Sequence, residues 1–196
     1  MIAVLDYGSG NLRSAQRAFE LTGHEVALTS KAEDFLQADA YVVPGVGAFG
    51  ACMLQLEAIG GRELIAQAVA TGKPVFGICV GMQIFFESGS EKGNHKGLGY
   101  FSGDVSVLKA PVLPHIGWND VVVDSNLFDG VEDEKFYFVH SYAAKEVVKG
   151  ANISWTYHGE EFVAAIEKEN IFATQFHPEK SGDAGAKLIK NWAKKI

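Results

Sequence analysis

The first 80 residues alternate short apolar runs with glycine-rich or helix-patterned stretches, and this alternation constrains the fold more than any other feature. IAVLD (2–6) runs into YGSGN, and a helix follows with Asn11 as N-cap, Gly23 as C-cap, and Leu12, Ala15, Ala18 and Phe19 on one face. EVALT (25–29) reads as a second strand, AYVVPGVG (40–47) as a third stopped at Pro44, and PVFGIC (74–79) as a fourth. GRELIAQAVATG (61–72) has helical spacing at Leu64, Ile65, Ala68 and Val69. Repeated β-α-β units imply a parallel sheet with helices on both faces. In such sheets sites lie beyond the carboxyl ends of the strands. The stretches GSGN, PGVGAF and CVGMQ fall at such ends.

The second half reads differently. VSVLK, NDVVVD, KFYFVHSYA, NISWTYH, EFVAAIEK and IFATQFH are strand-like and separated by turns. A helix returns only near the end, with Ala184, Leu188, Ile189 and Trp192 on one side and Lys187, Lys190, Lys194 and Lys195 elsewhere. The expected fold is α/β: a single three-layer domain over residues 1–196, with a mixed, mainly parallel central sheet and an antiparallel extension. ESGSEKGNHKG (87–97) reads as a surface loop near Cys79.

Composition excludes several classes. A chain of 196 residues, 47% hydrophobic, can bury a sizeable core. A net charge of −7 argues against a nucleic-acid groove. No apolar run is long enough to span a bilayer, and the start lacks the basic region of a signal peptide, so a cytoplasmic protein with no membrane partner is expected. Two cysteines are too few for a disulfide framework, and no Cys/His spacing suggests zinc; neither metal nor cofactor is expected.

Cys79 sits between Gly77 and Gly81 where PVFGIC gives way to a helix over 80–86. Gly-x-nucleophile-x-Gly permits a sharp strand-to-helix corner that exposes the nucleophile. The helix N-terminus favours a negatively charged sulfur, and the Val80 amide points where an oxyanion would form. A lone buried cysteine is more often a small core residue, and Cys52, with helical spacing in AFGACMLQL, reads that way. A nucleophilic cysteine needs a base and a group to orient it. Of six histidines, His177 in TQFHPEKS ends an apolar strand and has Glu179 two residues on, on the same side of extended chain. Pro178 biases His177 toward that extended geometry. A surface His-Pro-Glu turn is the alternative for this segment taken alone.

GICVGMQ (77–83) followed downstream by HPE (177–179) resembles the signature of the triad-type, class I glutamine amidotransferases. DYGSGN, PGVGAF, HKGLG, PHIGWN, FYFVHSY and HPEKS, in order over the chain, resemble the branch that serves histidine biosynthesis; Val80 stands where many relatives carry Leu. The resemblance implies that Cys79, His177 and Glu179 form a triad that releases ammonia from L-glutamine. It places the Val80 amide and one from Gly45, Val46 and Gly47 at the oxyanion, Gln83 and Glu91 near the bound glutamine, and Ser141 and Tyr142 at its amino-acid end. It implies a (β/α)8-barrel cyclase as heterodimer partner, with Asn11, Trp118 and Lys180 at the interface. A glutaminase subunit of another synthase, and a non-catalytic stabilising subunit, remain open alternatives.

Overall fold

The computed structural model describes residues 1–133 and 135–196. The chain opens with β1 (Ile2–Leu5), α1 (Leu12–Glu20), β2 (Val26–Thr29), α2 (Ala32–Gln37), β3 (Ala40–Gly45), α3 (Phe49–Ala58), α4 (Gly61–Ala70) and β4 (Val75–Cys79). These strands read as near-continuous apolar runs because both faces of their sheet are covered. β1, β3 and β4 are buried throughout. The six-residue α2 was not foreseen; it buries Phe35 against Tyr41. Gly23 lies past the α1 C-cap, which is Leu21.

Pro44 does not stop β3, which continues to Gly45. Backbone groups of successive residues point to opposite neighbours. Tyr41 N–H donates toward the β4 side, to Pro74, so position 44 faces the β1 side. β1 pairs with β3 only as far as Val42, so the missing N–H of Pro44 breaks no ladder bond.

After β4 come a single helical turn, α5 (Val80–Gln83), then β5 (Phe86–Gly89), β6 (His95–Lys96) and β7 (Phe101–Val107). The helix expected to Phe86 therefore ends three residues earlier. Within the stretch expected to be a plain loop, β5 and β6 pair antiparallel. Next are β8 (His115–Asp120), β9 (Lys135–His140), β10 (Tyr142–Ala144), β11 (Asn152–His158), β12 (Glu160–Lys168), β13 (Ile171–Thr174) and α6 (Gly182–Ala193). The strand expected over NDVVVD lies upstream, in HIGWND, and Val122 keeps only an isolated bridge to Trp155. KFYFVHSYA splits at Ser141: β9 pairs with β8, whereas β10 pairs with β7.

The described strands form a seven-stranded sheet in the order β11-β12-β13-β4-β3-β1-β2, a four-stranded sheet β10-β7-β5-β6, and the β8-β9 pair. β13, β4, β3, β1 and β2 run parallel, while β12 and β11 extend the sheet antiparallel. The mixed α/β fold, mainly parallel with an antiparallel extension, is as expected. α6 covers the sheet with Leu188, Ile189 and Trp192, whose indole packs on Phe19 and Phe76. Among the described residues no helix is long and apolar enough to cross a membrane.

Candidate active site

Three neighbouring parallel strands end at one edge of the sheet. β4 ends at Cys79, which pairs with Gly45 at the end of β3, and Ile78 pairs with Thr174 at the end of β13. The segments leaving β3 and β13, Gly45–Gly47 and Gln175–His177, therefore flank the cysteine from either side. Residues 79 and 177 meet because a parallel sheet aligns its strand ends, whatever their separation in sequence.

Cys79 has φ +56° and ψ −113°, a conformation that side chains rarely adopt. The corner holds because its neighbours are small. A Cβ on Gly77 would come 2.9 Å from the Gly81 carbonyl oxygen, and one on Gly81 would overlap the carbonyl oxygen of Val43. Val80 is the first residue of α5, so its amide has no acceptor within the helix.

His177 and Glu179 are both almost completely buried, and Nδ1 lies 2.8 Å from Glu179 Oε1. A carboxylate oxygen accepts, so Nδ1 donates and Nε2 is left for the cleft. The geometry is not the extended chain expected from sequence: His177 is extended (φ −100°, ψ 95°), but Pro178–Lys180 form a 3₁₀ turn. That turn folds the carboxylate back onto the ring. The base is pinned on both sides, since His177 N–H donates to the Tyr137 carbonyl and Ser181 Oγ donates to the His177 carbonyl at 2.7 Å. Burial opposes a charge on the imidazole, but the Cys79 sulfur and Glu179 overcome it and hold His177 up at about 10. Nε2 itself is buried with no partner of ordinary hydrogen-bond geometry among the described residues.

A cleft of about 470 Å³ opens over these groups. Of the residues expected from sequence, Val46, Gly47, Val80, Gln83, Glu91, Ser141, Tyr142 and Lys180 line it beside Cys79 and His177. Glu91 Oε2 accepts from the amide of Phe49, capping α3 just past the Gly45–Gly47 loop. Asn11 is exposed at the start of α1, away from the cleft lining. Trp118 stands on β8, 56% exposed, in edge contact with Tyr137.

Several residues of the site had no assigned role in the sequence reading. Ser9 Oγ accepts from Val46 N–H (3.1 Å) and reaches the Val46 carbonyl (2.9 Å), while Cys52 Sγ donates to that same carbonyl at 3.2 Å. The Val46 amide is thus turned toward Ser9. Gln175, wholly buried, donates to Cys79 Sγ at 3.8 Å. His140 lines the cleft and contacts the Tyr142 carbonyl. The signal available was position: Ser9 and Gln175 lie within DYGSGN and TQFHPEKS, at ends of β1 and β13.

The family model for glutamine amidotransferase class-I matches residues 3–196. A protein of Renibacterium salmoninarum named imidazole glycerol phosphate synthase subunit HisH is 52% identical, over 97% of this chain and 92% of its own. One of the same name from Mycolicibacterium paratuberculosis is 53% identical, over 100% of this chain and 98% of its own. Among solved structures, a glutamine amidotransferase crystal structure superposes with TM-score 0.77 at 19% identity, covering 99% of this chain and 97% of that one. PurLQS from Thermotoga maritima gives 0.75 at 21%, covering 98% and 97%. At those identities the structures speak for the fold.

Proposed function

The chain belongs to the class-I glutamine amidotransferases, and from that premise we propose that it is the glutaminase subunit of an imidazole glycerol phosphate synthase. It hydrolyses glutamine to glutamate and ammonia and passes the ammonia to a cyclase partner, a (β/α)8 barrel. The cyclase makes imidazole glycerol phosphate and aminoimidazole carboxamide ribotide in histidine biosynthesis. The chain acts as one amidotransferase domain over residues 1–196, in the cytoplasm. The observation that carries the reading is a cysteine in a strained elbow sharing one cleft with a buried histidine tied at 2.8 Å to the Glu179 carboxylate.

In this reading Cys79 Sγ attacks the side-chain carboxamide carbon of glutamine. The oxyanion is stabilised by the Val80 amide and, once the loop turns, by an amide of Gly45–Gly47. His177 gives its Nε2 proton to the leaving nitrogen, ammonia departs, and a glutamyl thioester remains. His177 then takes a proton from water, whose oxygen attacks the thioester, and glutamate leaves as the sulfur is regenerated. Glu179 holds the ring so that Nε2 faces the sulfur throughout. Glu91, Gln83, Ser141 and Tyr142 bind the rest of the substrate, and Asn11, Trp118 and Lys180 meet the cyclase.

Glutamate release from glutamine, measured for the chain alone and with the cognate cyclase and its ligand, tests this. Release is expected to rise on adding each. The Cys79→Ala complex should lose glutamine-dependent synthesis and keep synthesis from ammonium salt. Glutamine-dependent turnover near wild type in that variant would reject the reading. Stabilisation of the cyclase with no glutamate release would favour a non-catalytic subunit.

A further inference from the structure

Gln175 is 0% exposed, so its side-chain amide is fully buried. Leu or Met would fill that space without the cost of burying a polar group. Its backbone is held by a bond from its N–H to the Ala164 carbonyl at 2.8 Å. The direction of its side-chain amide follows from a backbone group that can only accept. The Tyr142 carbonyl takes a bond from Gln83 at 2.9 Å, so the Gln83 atom there is the NH2 group. The same NH2 lies 3.0 Å from Gln175, so the Gln175 atom facing it is Oε1. Gln175 Nε2 is then turned to Cys79 Sγ, 3.8 Å away. His140 Nδ1, 2.9 Å from the Tyr142 carbonyl, fills the second acceptor direction of that oxygen.

We propose that Gln175 is a further catalytic residue: it donates its Nε2–H to the Cys79 sulfur, favours the thiolate and fixes its direction, while Gln83 is the positioning residue that turns the Gln175 amide. The inference rests on the assignment of Cys79 as nucleophile. A thiolate is a stronger acceptor than a thiol, so the bond strengthens as the sulfur becomes reactive. Gln83 has both hydrogens committed, which leaves its Oε1 as the atom it offers to a substrate.

The test uses the full chain and iodoacetamide, which alkylates sulfur with loss of iodide and needs no oxyanion site. Peptide mapping counts Cys79 and Cys52 separately. Gln175→Met is expected to slow Cys79 labelling about 10-fold near neutral pH, the size of a hydrogen bond to a charged group. The deficit should narrow as pH rises, and Cys52 should be unaffected. Gln175→Glu, which sets a carboxylate against the sulfur, should slow Cys79 further. Gln83→Met should slow it by a smaller factor, and it carries the test if Gln175→Met does not fold. Labelling of Cys79 within twofold of wild type in folded Gln175→Met or Gln83→Met, or a deficit equal at every pH, overturns the proposal. Wild-type chain that labels normally at Cys79 but releases no glutamate would sink the glutaminase reading and leave the sulfur contact standing.

Discussion

Cys79 and Cys52 are both buried, but their surroundings set them apart. Cys52 lies on α3, where burial pushes its thiol up and its Sγ is committed to Ser9 and Val46. Cys79 lines the same cleft as His177. A glutamine-like electrophile should therefore label Cys79 and spare Cys52, and Cys52→Ala should cost about 1 kcal/mol of stability with activity retained; peptide mapping that found the label mainly on Cys52 would reverse the assignment. His177→Asn should lose about 100-fold or more in glutamate release, the scale of a positioned acid–base group. Glu179→Gln should lose less, because an amide oxygen can still accept from Nδ1. That variant removes a negative charge that favours imidazolium. The His177 ring should then titrate below its value of about 10, which an NMR titration would register. An unmoved titration would remove Glu179 from the electrostatics of the site.

At the scale of elements, the loop after β3 has the most to reveal. Its stem is fixed, since Tyr7 Oη donates to the Pro44 carbonyl at 2.6 Å. Its tip is clamped, since Ser9 holds the Val46 N–H, and Ser9 and Cys52 both donate to the Val46 carbonyl. Gly47, at φ +93°, lets the peptide between Val46 and Gly47, which carries that carbonyl, turn with little steric resistance. Ser9→Ala should free it and raise glutamate release by the isolated chain, up to the roughly 100-fold that one oxyanion donor is worth. Steady-state assay without the cyclase measures this, and an unchanged rate would show that the clamp does not hold the loop back. The loop and the corner were legible in sequence because glycines at close approaches leave a mark. β3 through Pro44 was not, because its legality depends on where β1 stops pairing. β8 was missed because Ile116 and Trp118 are its outward residues, 60% and 56% exposed, so its apolar alternation marks a face turned away from the core. The partner of Cys79 in Gln175 was invisible because an amide declares no chemistry until its neighbours orient it.

The whole molecule joins its sheets through histidines. His115 on β8 stacks on His158 of β11 with ring centres 4.1 Å apart, and its Nδ1 meets Nε2 of His140 on β9 at 3.2 Å. His140 Nδ1 donates to a carbonyl, so its Nε2 accepts, and the His115 Nδ1 carries the proton. The chain of bonds is complete only with both rings neutral. Burial, and then the charge of His158, bring His115 down to about 4. Burial brings His140 to about 3 against the Tyr142 carbonyl, with His115, His158 and His177 adding repulsion. For each, the folded value lies below the unfolded one near 6.5. The unfolded chain then binds more protons between those values, so the contribution is complete above about 6.5 and is lost as pH falls toward 4 and 3. Urea unfolding measured from pH 7 to 4 should show stability falling with a slope of up to about 1.4 kcal/mol per pH unit for each histidine. His115→Phe keeps an aromatic ring between Phe138 and His158 and cannot titrate. It should be less stable at pH 7, where its hydrogen bonds are lost, and its acid slope should be shallower by about one proton. An acid slope identical to wild type would show that the joint between the sheets is not where protons enter.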